Sequence, residues 1–101
     1  MIQKELDRHK DNHIRMLILR IASASYPNPV DAQLVRVTLG NLGYPMDEQD
    51  LNYYLAFLEE RGYIKLMRRS EFSITMVGIT ADGIDVMDER KKDCSIGFGD
   101  R

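Results

Sequence analysis

Between Asp47 and Met67 the chain reads as a capped amphipathic helix that stops abruptly and runs at once into a strand, and few folds accept that junction. Leu51, Tyr54, Leu55 and Leu58 fall at i, i+3, i+4 and i+7, the spacing that lays one apolar stripe along a helix. Asp47 stands where its carboxylate can accept from the free N–H groups of the first turn. Glu48 and Asp50 add negative charge at the positive end of the helix dipole. Arg61 suits the last turn, and Gly62 can take the left-handed conformation that closes a helix. Tyr63-Ile64-Lys65-Leu66-Met67 then has the β-forming character of a strand.

Two helices are expected before this junction. From His13, the residues Ile14, Leu17, Ile18 and Ile21 repeat the helical spacing, and Met16 and Leu19 widen the apolar surface. Residues 1–12 are polar and mixed in charge, either a loose extension of that helix or an arm. Tyr26-Pro27-Asn28-Pro29 ends it near Ser25, because proline cannot continue the hydrogen-bond ladder. Asn28 as N-cap and Pro29 at the first helical position then open a second helix. In it Val30, Leu34 and Val37 share a face, Leu39 and Leu42 lie toward the end, and Gly40, Gly43 and Pro45 impose a stop. So short a connection to the next helix forces a steep crossing, the helix-turn-helix arrangement.

After the junction, Phe72, Ile74 and Met76 alternate on one face of a second strand, which makes a hairpin with its tip near Arg69. Thr80 is placed to cap a last helix running to Arg90, with Ile84 and Met87 inward. From Cys94 to Arg101, two glycines and no periodicity predict a flexible tail. The expectation is one α+β, mainly helical domain over residues 1–93, followed by a tail at 94–101.

Two segments resemble winged helix-turn-helix domains. One is Leu51-(x)3-Leu55-(x)2-Leu58-Glu59-Glu60-Arg61-Gly62-Tyr63-Ile64. The other, Ile79-Thr80-Ala81-Asp82-Gly83-Ile84, is similar to the Leu-Thr-x-x-Gly segment that ends the wing in the MarR and PadR groups of bacterial regulators. The resemblance covers residues 13–90, and in size and style the chain also resembles small accessory proteins of Mu-like bacteriophages. It implies three helices, a β-hairpin wing and a C-terminal helix, with the third helix in the major groove and the wing tip on the flanking backbone. It also implies a small prokaryotic or phage transcription regulator that binds double-stranded DNA as a homodimer built on its first and last helices.

Composition bounds the alternatives. No apolar run approaches a membrane span, and Lys4, Glu5, Asp7 and Arg8 occupy the place where a signal peptide would be apolar. The single cysteine, Cys94, cannot pair within the chain, so a cytoplasmic protein is expected. The net charge of −2 counts mildly against DNA binding. Its distribution is uneven: Arg61 to Ser70 carries four cations and no acid, and Asp47 to Asp50 three acids and no base.

The candidate interface residues follow from these patterns. Gln49, Asn52, Tyr53 and Ala56 lie opposite the apolar stripe; Asn and Gln can pair with adenine, and Tyr can reach phosphate. The plainer reading is a solvated helix face. Lys65, Arg68 and Arg69 can clasp phosphates, or merely keep a hairpin edge soluble. With Arg61 they would give a salt slope of about −3.6, roughly a 100-fold loss of affinity between about 50 and 200 mM salt. Tyr53 and Phe57, if exposed together beside the acids, suit a protein partner in place of DNA. His9 and His13 stand four apart without a third ligand, and Cys94 has no neighbouring base. Neither a catalytic residue, a metal site nor a cofactor is expected.

Overall fold

The computed structural model describes residues 2–69 and 73–97. The elements in chain order are α1 (Ile2–Ser23), β1 (Val30–Asp31), α2 (Ala32–Asn41), α3 (Glu48–Glu60), β2 (Ile64–Arg69), β3 (Ile74–Ile79) and α4 (Ala81–Met87). The strands form one antiparallel sheet in the order β1-β3-β2. One core joins all of them. Ile14, Ile18 and Leu19 of α1 meet Val35 and Leu39 of α2, the Leu51/Leu55/Leu58 stripe of α3, and Ile64, Val77 and Ile79 of the sheet. Among the described residues no helix is long and apolar enough to cross a membrane.

The junction forms as its residues dictate. Asp47 accepts from the Asp50 N–H at 2.8 Å. At the other end Gly62 takes φ +81°, and Gly62 N and Tyr63 N donate to the carbonyls of Glu59 and Leu58 at 2.9 and 3.0 Å. That pair of bonds is the Schellman closure, and it turns the chain straight into β2. α2 ends the same way, with Gly43 and Tyr44 donating to Gly40 and Leu39.

The second helix departs from expectation in two respects. Asn28 and Pro29 do not open it; Val30 and Asp31 are drawn into the sheet opposite Val77 and Met76, and Asp31 caps the helix by accepting from Gln33 N at 2.8 Å. Its buried face is Val35 and Leu39, whereas Leu34 and Val37 are each 54% exposed. The bridge to β3 fixes Val30 inward, and Ala32, Val35 and Leu39 follow from it at helical spacing. α4 is also shorter than expected: it stops at Met87, and Val86 is its fully inward side chain, with Ile84 and Met87 half-buried.

The larger correction concerns the C-terminus. Residues 94–97 pack on α1 and are not a free tail, while residues 98–101 lie outside the described residues. Ile96 joins the core at 8% exposure, Gly97 N donates to Asn12 O, and Arg15 Nη1 donates to Ser95 O, both at 3.1 Å. Asp93 anchors the segment. Its carboxylate accepts from Tyr63 Oη at 2.6 Å, from Ser95 N and Oγ, and faces Arg61 at 3.5 Å. A stretch without periodicity is thus held by polar bonds to partners remote in sequence.

These bonds predict a stability profile limited on both sides. Burial alone would raise the Asp93 carboxyl, but the bonds from Ser95 and Tyr63 and the nearby Arg61 outweigh it and hold the group below the usual carboxylate range. Its contribution is therefore present above the unfolded carboxylate value and is lost as pH falls through the lowered folded one. Burial, with the bond to Asp93, pushes the Tyr63 phenol up to about 12. That contribution is present below the ordinary phenol value of about 10 and is lost as pH rises toward the folded one. Urea midpoints measured against pH should show the acid limb flattened in Asp93→Asn and the alkaline limb flattened in Tyr63→Phe.

Candidate nucleic-acid interface

α3 presents Gln49, Asn52, Tyr53 and Ala56 to solvent, as the apolar stripe on its other side requires. Consecutive residues on a helix are about 100° apart, so Asn52 and Tyr53 look in different directions. Asn52 lines a cleft of about 200 Å³ together with Glu48, Gln33 at the start of α2, Ser73 just before β3, and Ile74 and Thr75 at its start. Tyr53 lines another cleft on the α1 side, with Lys10, Tyr44, Asp50 and Tyr54. The wing borders the first cleft only.

The register of the hairpin divides the wing cations. Arg68 is opposite Thr75, Arg69 opposite Ile74, and Lys65 opposite Gly78. Directly paired residues share a face of the sheet, and alternate residues along a strand change face. Arg68 therefore belongs to the side of Ile64 and Leu66, which packs on the core, and Thr75 carries that face into the Asn52 cleft. Lys65, Met67 and Arg69 occupy the outer side. Thr75 and Ile74, the cross-strand partners of Arg68 and Arg69, both line the Asn52 cleft; Tyr53 lines the other cleft, and Gly78, the partner of Lys65, lines neither.

Two further expectations change. Phe57 does not share an exposed patch with Tyr53. It is half-buried between two guanidinium groups, Arg15 at 3.9 Å and Arg61 at 4.4 Å from the ring centroid. Arg61, stacked there and paired with Asp93, consequently drops out of the wing's cation set. α3 itself carries Glu48, Asp50, Glu59 and Glu60 and no base. Of these, Glu59 accepts from Leu66 N at 3.2 Å and ties helix to wing strand.

On the α1 side the tyrosines are anchored inward. Tyr54 Oη donates to Asp11 at 2.6 Å, and burial together with that bond pushes its phenol well above the ordinary value. Tyr44 Oη is 3.1 Å from His13 Nδ1, with the two rings edge to face. Among the described residues no group of three His, Cys, Asp or Glu side chains could hold a metal ion. Sequence reading missed Gln33 and Thr75 as lining residues. No local signal marks them, because the cleft is assembled from three elements distant in sequence.

No family model and no curated protein matches the chain. Among solved structures, the PcaV transcriptional regulator from Streptomyces coelicolor, in complex with its natural ligand, superposes with a TM-score of 0.60 at 17% identity. The match covers 73% of this chain and 48% of that one, so the chain spans about half the length of the regulator it resembles. The fold is a winged helix-turn-helix. At that identity the likeness is one of architecture: α2 and α3 make the helix-turn-helix, β2 and β3 the wing, and α4 closes the domain. The resemblance to Mu-like phage proteins has no counterpart in these comparisons.

Proposed function

We propose that the chain is a DNA-binding winged-helix protein of the transcription-regulator kind. One observation carries the reading: Asn52 on the open face of α3 and Thr75, the cross-strand partner of Arg68, line a single cleft. A duplex seated there would meet an amide suited to adenine and a guanidinium suited to phosphate. Gln49 stands one turn nearer the helix start on the same open side, and Lys65 and Arg69 reach backbone from the outer face of the wing. Tyr53 contributes only where the duplex extends past α3 toward α1.

With Arg61 engaged elsewhere, three cations remain. Their salt slope is about −2.7, so affinity should fall roughly 40-fold between about 50 and 200 mM salt. In a fluorescence-anisotropy titration with duplex DNA, Arg68→Ala/Arg69→Ala should weaken binding across all sequences and bring the slope to about −0.9. Equal binding by both proteins removes the wing from the mechanism, and no binding of any duplex at low salt removes the function.

The four acids of α3 favour a second reading, a winged helix that docks a protein and has no DNA contact. A partner captured through Tyr53, and unaffected by Arg68→Ala/Arg69→Ala, would establish it.

A further inference from the structure

We infer that the tyrosine-lined cleft between α1 and α3 receives the outer face of the wing of a second copy of this chain. The cleft measures about 460 Å³ and is walled by Tyr44, Tyr53 and Tyr54, with Asp50 and Lys10 at its rim. Tyr54 and Tyr44 have their hydroxyls engaged by Asp11 and His13, so they offer an incoming group chiefly ring surface. Tyr53 stands above them, 65% exposed and edge to face with Tyr54. Such a wall favours a polarizable or cationic side chain over a carboxylate.

The same molecule carries the complement. Lys65, Met67 and Arg69 alternate along the outer face of β2, and Met67 is 41% exposed between the two cations. Met and Arg are side chains that pack well on aromatic rings. The charges match as well. Among the described residues, Asp50 in the cleft has no cation within salt-bridge distance, though Lys10 also lines it, and neither Lys65 nor Arg69 on the outer face of the wing has an acid.

The two surfaces cannot meet within one molecule. The wing returns through Ser73 to Thr75 on the Asn52 side of α3, whereas the tyrosine cleft opens on the α1 side. Their meeting is therefore between copies and head to tail, one surface against a different one, so that association continues beyond a pair unless a ring closes. It involves no nucleic acid, and its test is separate from that of DNA binding.

The experiment is sedimentation velocity on the full chain without DNA, over about a hundredfold range of concentration at about 50 mM salt. The wild type should associate with rising concentration and revert to monomer at about 500 mM salt, where charges are screened within about 4 Å. Asp50→Lys, and separately Lys65→Glu/Arg69→Glu, should each weaken association at least about tenfold, and an equal mixture of the two should restore it. Tyr53→Ala, at an exposed position that leaves the fold intact by circular dichroism, should weaken it as well. A wild type monomeric throughout, association indifferent to these variants, or a mixture no better than its components would each overturn the inference.

Discussion

Gly83→Ala should melt roughly 12–24 °C below the wild type, the steepest loss expected from a change of one methyl group. A Cβ built at Gly83 would lie 2.2 Å from the carbonyl oxygen of Tyr63 and 2.8 Å from Ile79 Cγ1. The first neighbour is backbone and cannot rotate aside. Tyr63 O also accepts from Thr80 N at 3.0 Å, and Thr80 Oγ1 both donates to Gly62 O and caps α4 through Gly83 N. Moving α4 outward to admit the methyl breaks these contacts together.

One effect opposes the loss. Alanine is the better helix former by about 1 kcal/mol, chiefly because it leaves the unfolded chain less freedom to lose. Overpacking against fixed backbone costs more, so a net loss of about 3 kcal/mol is expected. Gly78→Ala is the control. Its Cβ would meet only the flexible end of Met67 at 3.4 Å and Pro29 Cβ at 3.8 Å, so its stability should stay within about 1 kcal/mol of wild type. A Gly83→Ala protein melting like the Gly78→Ala control would mean that α4 does not rest on Tyr63.

That contact also marks what was legible beforehand. Thr80, Asp47 and Gly62 stand out in the sequence because a cap or a helix stop requires a particular residue type locally, whereas Gly83 is marked there only by the segment that resembles winged-helix regulators. α2 was less determinate. Its ten residues carry apolar side chains on two faces, Val35 with Leu39 and Leu34 with Val37, and only the bridge from Val30 to Val77 decides between them. Spacing along one helix cannot report a partner strand that lies far along the sequence, as Val77 does from Val30.

The candidate site divides along the same line. Exposure of Gln49, Asn52 and Tyr53 follows from the buried stripe, which periodicity reveals. That Asn52 and Tyr53 face separate clefts depends on where β3 and α1 lie, which it does not. The division of the wing cations was within reach of strand alternation, since Lys65, Met67 and Arg69 fall on every second residue. The packed C-terminal segment was out of reach: one isoleucine among glycine and polar residues has no pattern, and its bonds run to Asn12, Arg15 and Tyr63.

That segment carries the second large effect. A chain ending at Lys92 should lose about 4 kcal/mol, a large share of the 5–15 kcal/mol that stabilises a domain of this kind. Burying the Ile96 side chain contributes about 2 kcal/mol, and the charge-assisted bonds to the Asp93 carboxylate a similar amount. Removal also exposes the face of α1 beneath and takes away one of the two acceptors of Arg15 Nη1, Ser95 O, leaving Asn12. Arg15 is only 8% exposed, and a guanidinium so placed is costly to leave short of partners. Urea unfolding of point variants apportions the loss: Ile96→Ala should cost about 2 kcal/mol, and Asp93→Asn, which keeps the shape but not the charge, about 1.5. If the shortened chain instead unfolded at the wild-type urea midpoint, residues 93–97 would be the unattached tail that their composition suggests. Arg61 would then be held by Phe57, and Arg15 by Phe57 and Asn12.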